Sequence, residues 1–206
     1  MTNPDPSVAM WDARYDRPDY VFGTAPNAFL AAQAQRLKPG WRVLAVADGE
    51  GRNGAWLAQQ GLVVHAVDAS AVAIEKAKRL AAERNVAIRF ECADLTTWTW
   101  PPEQYDAVVA IFIQFAPPPL RAGMFTGMKR ALKPDGLLLL EGYRPEQLAY
   151  KTGGPPNAEN MYDEALLRAA FGDMEIIELK SYDAEINEGA GHHGISALID
   201  LVARKR

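Results

Sequence analysis

Along the chain, short apolar runs alternate with segments whose apolar positions repeat at helical spacing. Val43-Leu44-Ala45-Val46-Ala47 is a continuous apolar run, the pattern of a strand buried on both faces of a parallel sheet. It breaks into Asp48-Gly49-Glu50-Gly51, where closely spaced glycines permit a tight turn and close approach of a ligand to the backbone. From Arg52 the pattern is helical through Ala55, Leu57 and Ala58, and Gly61 supplies the stop. Further strands are expected at 62–67, 86–92, 105–112 and 137–143, the last after a Lys133–Gly136 turn. Helices are expected after Ser70, whose hydroxyl can cap, and from Pro117-Pro118-Pro119 to Leu132. Ala73, Ala77, Leu80 and Ala81 repeat at helical spacing in the first of these, which also carries Glu75 and Arg79 as an i,i+4 pair.

The flanks are less regular. Residues 1 to about 6 read as unstructured. Trp11, Tyr15, Tyr20 and Phe22 then alternate with charges and end on Gly23, either as a lid over a ligand or as a cover packed on the sheet edge. Pro26 suits the first turn of a helix through Phe29, Leu30, Ala34 and Leu37, stopped by Lys38-Pro39-Gly40. Trp98 and Trp100 with Pro101-Pro102 read as a surface loop. A KTGGPPNAEN loop precedes a short helix from about Asp163 to Phe171. The C-terminal stretch reads as a β-hairpin, Met174 to about Ile186 and Ile195 to Ala203, with His192 and His193 at its tip.

This alternation predicts a Rossmann-like α/β domain spanning 1–206. Its seven-stranded sheet has five parallel strands plus a C-terminal hairpin with one antiparallel strand, and helices on both faces. Within it, 1–40 form a lid and helix, 41–143 the ligand-binding core, and 144–206 a substrate loop and hairpin. Ligands in such sheets bind outside the carboxyl ends of the strands. That rule nominates Asp48 to Asn53, Asp68, Asp94, Phe112 to Phe115, Tyr143 and Arg144. A sixth strand parallel to the rest would bring both tip histidines to face the same site.

Composition narrows the partners. A net charge of −4 argues against a nucleic-acid surface, and the terminal Arg204-Lys205-Arg206 reads as a solvated chain end. Cys92, the single cysteine, cannot form an intramolecular disulfide or a thiolate metal cluster, and its place in a strand suggests a buried, inert thiol. No apolar run approaches the roughly 20 residues of a membrane span, and the polar N-terminus is unlike a secretory signal. A soluble, cytoplasmic protein acting on a small molecule is the expectation, with its oligomeric state left open.

Gly49, Gly51 and Gly54 spell G-x-G-x-x-G, and Asp68 stands at the distance of a ribose-binding acid. A pyrophosphate would sit at the helix N-terminus, where Glu50 would repel it, and it gives no role to Asp94. S-adenosylmethionine has no phosphate, is cationic at sulfur, and carries an adenine amine that can donate to Asp94.

These segments resemble class I S-adenosylmethionine-dependent methyltransferases, and among them are similar to the tellurite-resistance and thiopurine methyltransferase-like group. VLAVADGEGRNGAWLA resembles the first motif, CADL the adenine-contacting one, YDAVVAIFIQF the fourth-strand motif and LKPDGLLLLEGY the fifth. The resemblance covers nearly all of the chain. It implies cofactor contacts from Tyr20, Gly23, Ala47, Asp48, Gly49, Glu50, Gly51, Arg52, Asn53, Asp68, Ala69, Ser70, Ala93, Asp94, Leu95, Ile111 and Phe112, and no metal. GAGHHG is similar to a histidine-bearing segment near the methyl group, which carries His192 over, with His193 its neighbour. The sequence departs from the first motif at Ala45, usually an acid, and Ala47, usually the first glycine.

Methyl transfer is an in-line displacement at a sulfonium methyl, so placement and exclusion of water dominate, and only neutral acceptors need a base. His192 or His193 can serve as base or, protonated, as anion anchor, and Arg144 can orient an anionic acceptor. His65, in a strand, reads as structural. The leading function is methylation of a small thiol, chalcogen oxyanion or similar soft nucleophile. A nicotinamide-dependent oxidoreductase and a non-catalytic cofactor-binding module stand beside it.

Overall fold

The computed structural model describes residues 6–206, with side chains from Val8 onward, so most of the expected unstructured N-terminal stretch, 1–5, lies outside the described residues. Helix α1 (Pro6–Tyr15) and the short α2 (Ala28–Ala32) precede the alternating body. That body is β1 (Arg42–Val46), α3 (Arg52–Gln59), β2 (Val63–Asp68), α4 (Ala71–Glu83), β3 (Arg89–Cys92), β4 (Tyr105–Ile111), α5 (Pro118–Ala131) and β5 (Leu132–Tyr143). One-turn α6 (Gln147–Tyr150) and α7 (Glu164–Phe171) lead to β6 (Glu175–Asn187) and β7 (His193–Arg204).

The seven strands form one sheet in the order β3-β2-β1-β4-β5-β7-β6. β1 to β5 run parallel, β7 is antiparallel to both neighbours, and β6 therefore points with the parallel set. The hairpin tip thus reaches the same edge as the carboxyl ends of β1 to β5, the arrangement expected if the sixth strand runs parallel to the rest. Period-two alternation sorts the strand residues into two cores. Leu44, Val46, Val108, Leu138 and Leu140 face Met124, Met128 and Phe171 from α5 and α7, whereas Val43, Ala45, Val109 and Leu139 face Leu30 and Leu57. No helix among the described residues is long and apolar enough to cross a membrane.

Several local expectations are corrected. The third strand begins at Arg89 rather than Val86, because Asn85 turns at φ 54° and Val86 N–H closes the end of α4 on Ala81 O (3.0 Å). The helix expected from Pro26 to Leu37 starts after Asn27, whose Oδ1 accepts the Leu30 N–H at 2.9 Å, and gives way after Ala32 to a 3-10 turn, Ala34–Arg36. The Lys133–Gly136 turn exists as an irregularity inside β5, with the register slipping between Tyr105 and Ala107. Glu75 pairs with Lys78 (2.7 Å) instead of Arg79, and Cys92 is exposed, since β3 is a short edge strand with one flank uncovered. His65 is buried between Tyr105 OH (2.6 Å) and Glu91 (3.1 Å), a structural place as expected.

Trp100 is no surface residue either: it is buried, with its indole flat against α5 where Gly127 leaves a gap. A Cβ on Gly127 would come within 2.5 Å of the ring carbons Cγ and Cε2. Gly127→Ala should therefore destabilise the fold by about 1–2 kcal/mol in urea denaturation, overpacking outweighing the gain in helix propensity. A rise in the denaturation midpoint would show that the indole yields.

Candidate active site

The turn after β1 winds through left-handed backbone, with φ of 48° at Ala47, 57° at Gly49 and 86° at Gly51. A side chain at Gly51 would meet Ala77 Cβ of α4 at 2.6 Å, and one at Gly54 would overlap the Asp48 carboxylate. Gly51 and Gly54 are thus required by α4 and by Asp48, which accepts the Gly54 N–H at 3.1 and 3.2 Å at the start of α3. No phosphate is needed to explain the literal glycine pattern.

At the end of β2, Asp68 accepts the N–H groups of Gly49 and Ser70, both at 2.8 Å. The Ser70 hydroxyl caps α4 and donates to Asp12 from α1 at 2.5 Å. Three carboxylates therefore converge on one corner. Burial pushes the Asp48 carboxyl up to about 7 against the Gly54 N–H, with Asp68 adding to the rise. Burial likewise raises Asp68 against its N–H partners, with Asp12 adding. Nearby cations are already engaged: Arg52 pairs with Glu188 (2.6 Å) and Lys76 with Glu50. An under-compensated acidic corner favours a cationic ligand and opposes a pyrophosphate. S-adenosylmethionine fits it: the sulfonium is a cation, and each Asp68 oxygen keeps a second lone pair for a ribose hydroxyl. At the next strand end, Asp94 Oδ1 accepts Thr96 N–H and its hydroxyl, both at 2.8 Å, and Ala93 N–H bonds Asp68 O at 2.9 Å.

The aromatic N-terminal segment covers this corner and not the sheet edge. Tyr15 is buried, with its hydroxyl 2.9 Å from where a Gly49 Cβ would stand, and Trp11 stacks on it at 5.6 Å between centroids. From Tyr15 a row of rings crosses the carboxyl edge: Phe22 at 6.2 Å, then His192 at 4.5 Å from both Phe22 and Phe112, and Phe112 stacked on Tyr143 at 4.6 Å. Ile111 and Leu95 are buried, in the two cores on either face of the sheet, and Phe112, at φ 54°, donates its N–H to Glu141 O at 2.8 Å. His192 is 7% exposed, and its Nδ1, like Tyr143 OH, is buried without a hydrogen-bond partner among the described residues. Burial lowers the His192 pKa, Glu188 opposes this and Arg52 reinforces it, so the ring is neutral at pH 7.

Other nominated residues are used elsewhere. The Glu50 carboxylate is buried against Lys76 and accepts the Val21 N–H at 2.7 Å. Arg52 holds the hairpin tip through Glu188, and Asn53 accepts the Asn27 N–H at 2.9 Å. Tyr20 lies over Lys76, Gly23 against Gly189, and Ala69 O receives the Cys92 thiol at 3.5 Å. Arg144 is tied to Asp183 and to Leu198 O (3.1 Å), an anchor for the hairpin rather than for an acceptor. His193 turns outward, exposed, 3.3 Å from Asn187, because successive residues of a strand face opposite ways. Of the two tip histidines, only His192 turns inward, into the ring row. Tyr15 as roof, Lys76 and Glu188 were missed as site residues. Lys76 had a signal, since it completes the 73/76/77/80 inward stripe of α4.

Residues 43–136 match the family model described as Methyltransferase domain. Among solved structures, the chain is similar to one described as conversion of a disulfide bond into a thioacetal group during echinomycin biosynthesis, at 21% identity over 96% of this chain and 92% of that one, TM-score 0.76. TehB from Haemophilus influenzae is similar at 19% identity over 97% of this chain and 67% of that one, TM-score 0.73. Magnesium protoporphyrin IX methyltransferase from Synechocystis PCC 6803, with bound S-adenosylmethionine, matches at 19% identity over 96% and 79%, TM-score 0.63. At these identities the structures share the fold. The matched stretch carries Asp48, Asp68 and Asp94 at the carboxyl ends of β1 to β3.

Ala47, in place of the motif's usual glycine, carries left-handed backbone at a cost of about 1–2 kcal/mol, which glycine's larger unfolded-state entropy partly offsets. Ala47→Gly should stabilise the protein by up to about 1 kcal/mol in urea denaturation. A loss of stability would place the value of the Ala47 methyl above its strain.

Proposed function

We propose that this protein methylates a small molecule whose acceptor atom lies beside His192, with S-adenosylmethionine held over the Asp48–Asp68 corner. The carrying observation is the unbroken ring row from Tyr15, above the acidic corner, to His192, buried with an unpartnered Nδ1. Asp68 is assigned the ribose, Asp94 the adenine amine, and Ala93, Leu95, Ile111 and Phe112 the adenine walls. When bound, the cofactor supplies a methyl group on a leaving group already activated by its positive charge. The chain's own work is placement: the turn at Ala47 to Gly51 sets the cofactor's depth, and Trp11 and Tyr15 shut out water. Neutral His192 suits a base better than an anion anchor.

The finer reading is an acceptor of the tellurite-resistance and thiopurine methyltransferase-like kind, a thiol, a chalcogen oxyanion or a similar soft nucleophile. It is supported by the GAGHHG tip and by the likeness to TehB. The under-compensated carboxylates weigh against the nicotinamide alternative, and an unpartnered histidine walled by aromatic rings weighs against a purely binding module.

Calorimetry with S-adenosylmethionine, S-adenosylhomocysteine and NADH tests the reading. Micromolar binding of the first two and none of NADH is expected, whereas NADH binding alone would overturn it. His192→Ala should leave cofactor affinity intact and lower turnover of any accepted substrate by about 100-fold or more. The acidic corner adds a pH signature. Asp48, raised to about 7, is neutral below that pH and anionic above it. Only the ionised form attracts a sulfonium, so affinity for S-adenosylmethionine relative to neutral-sulfur S-adenosylhomocysteine should rise between pH 6 and pH 8, by about tenfold if a full charge is sensed. A flat ratio would place the sulfur away from Asp48.

A further inference from the structure

Glu188 stands at the hairpin tip, four residues before His192, and its carboxylate is fixed from three sides. Oε2 accepts Arg52 Nη2 at 2.6 Å, and Oε1 accepts Asn27 Nδ2 at 3.0 Å and the Ala28 N–H at 3.2 Å. Burial alone would raise the Glu188 pKa, but the Arg52 charge and the hydrogen bonds from Arg52 and the Ala28 N–H hold the carboxylate below its ordinary range. The same Oε2 lies 3.8 Å from His192 Nδ1, just beyond hydrogen-bond reach. Other groups facing the imidazole are Phe22, Phe112 and Tyr143, with the Arg52 and Arg14 charges nearby. Nδ1 thus has a carboxylate acceptor 3.8 Å away and no hydrogen-bond partner among the described residues.

We propose that Glu188 is a positioning residue that sets the His192 tautomer, keeping the proton on Nδ1 and the lone pair on Nε2 for an acceptor that arrives protonated. This rests on the methyltransferase reading and deepens it: the substrate class is a thiol or hydroxyl and not an oxyanion, because an oxyanion has no proton to lose. The acceptor X–H gives its proton to Nε2 as its electron pair takes the methyl carbon, and the electron pair of the broken C–S bond stays on the departing sulfur. The resulting imidazolium is stabilised by Glu188 as the 3.8 Å gap closes, and it then releases its proton to water. Arg52 and Asn27 hold the carboxylate ready without themselves approaching the acceptor.

The chain has only three histidines, so ¹⁵N-imidazole spectra of the full-length protein resolve each ring, and His192→Gln identifies the signals of interest. Wild-type protein should show the Nδ1-protonated tautomer at His192. Glu188→Gln should shift the population toward Nε2–H and lower the His192 pKa further, since Glu188 opposes the effect of burial. A merely structural Glu188 would move neither. An Nε2–H tautomer in the wild type, or an unchanged tautomer and pKa in Glu188→Gln, overturns the proposal. If Glu188→Gln fails to fold, the wild-type tautomer decides alone. Calorimetry with S-adenosylhomocysteine on the same samples separates the two readings: absence of binding sinks the methyltransferase reading, whereas the tautomer judges Glu188 independently.

Discussion

One buried ion pair organises the ligand-binding end of the molecule. Lys76 and Glu50, both side chains 2% exposed, meet beneath the lid. The same ammonium donates to the carbonyls of Tyr15 (3.2 Å), Arg17 (3.1 Å) and Asp19 (2.6 Å), while Glu50 accepts Val21 N–H (2.7 Å). A loop that would otherwise carry unsatisfied polar backbone is thereby fastened to the first glycine turn and to α4 at once. Desolvating two charges is expensive, and removing one partner would strand the other at about 3–5 kcal/mol. The pair's stabilisation is less important than its geometry, since it decides where Tyr15 sits over Gly49.

The sheet was legible because β1, β2, β4 and β5 each carry an apolar run followed by its own stop signal. The hairpin itself was legible, but which of its strands runs with the parallel set is fixed by the β5–β7 and β6–β7 pairings. What escaped were decisions taken between distant residues. Glu50 reads as a charge beside a ligand until Lys76 is seen to neutralise it. Arg144 reads as a substrate anchor until β6 supplies Asp183. Trp100 sits in a Pro-rich stretch that looks like surface, and only the absent side chain of Gly127, 27 residues on, opens the core to it. Single-sequence periodicity carries no information about such partners.

The acidic corner and the ring row divide the work. Carboxylates raised in pKa by burial make one end responsive to charge, and the aromatic row makes the other end dry and chemically quiet except for His192. Ala47 joins them at the cost of a strained residue, the kind of local strain that persists where the surroundings over-determine the backbone. The fold's mixed sheet is what permits this division, because only the reversal at β7 brings a sixth parallel strand end to the edge.

The contact between lid and hairpin has a kinetic side. Gly191 N–H bonds Val21 O at 2.9 Å, and Glu188 accepts from Ala28, so residues near the start of the chain close against the tip linking its last two strands. β7 lies between β5 and β6, so the tip is held in place only once both flanking pairings exist. The parallel strands and their helices can collapse on contacts of shorter sequence separation, whereas the closure of lid on tip joins residues some 170 positions apart and is a late, long-range step of folding.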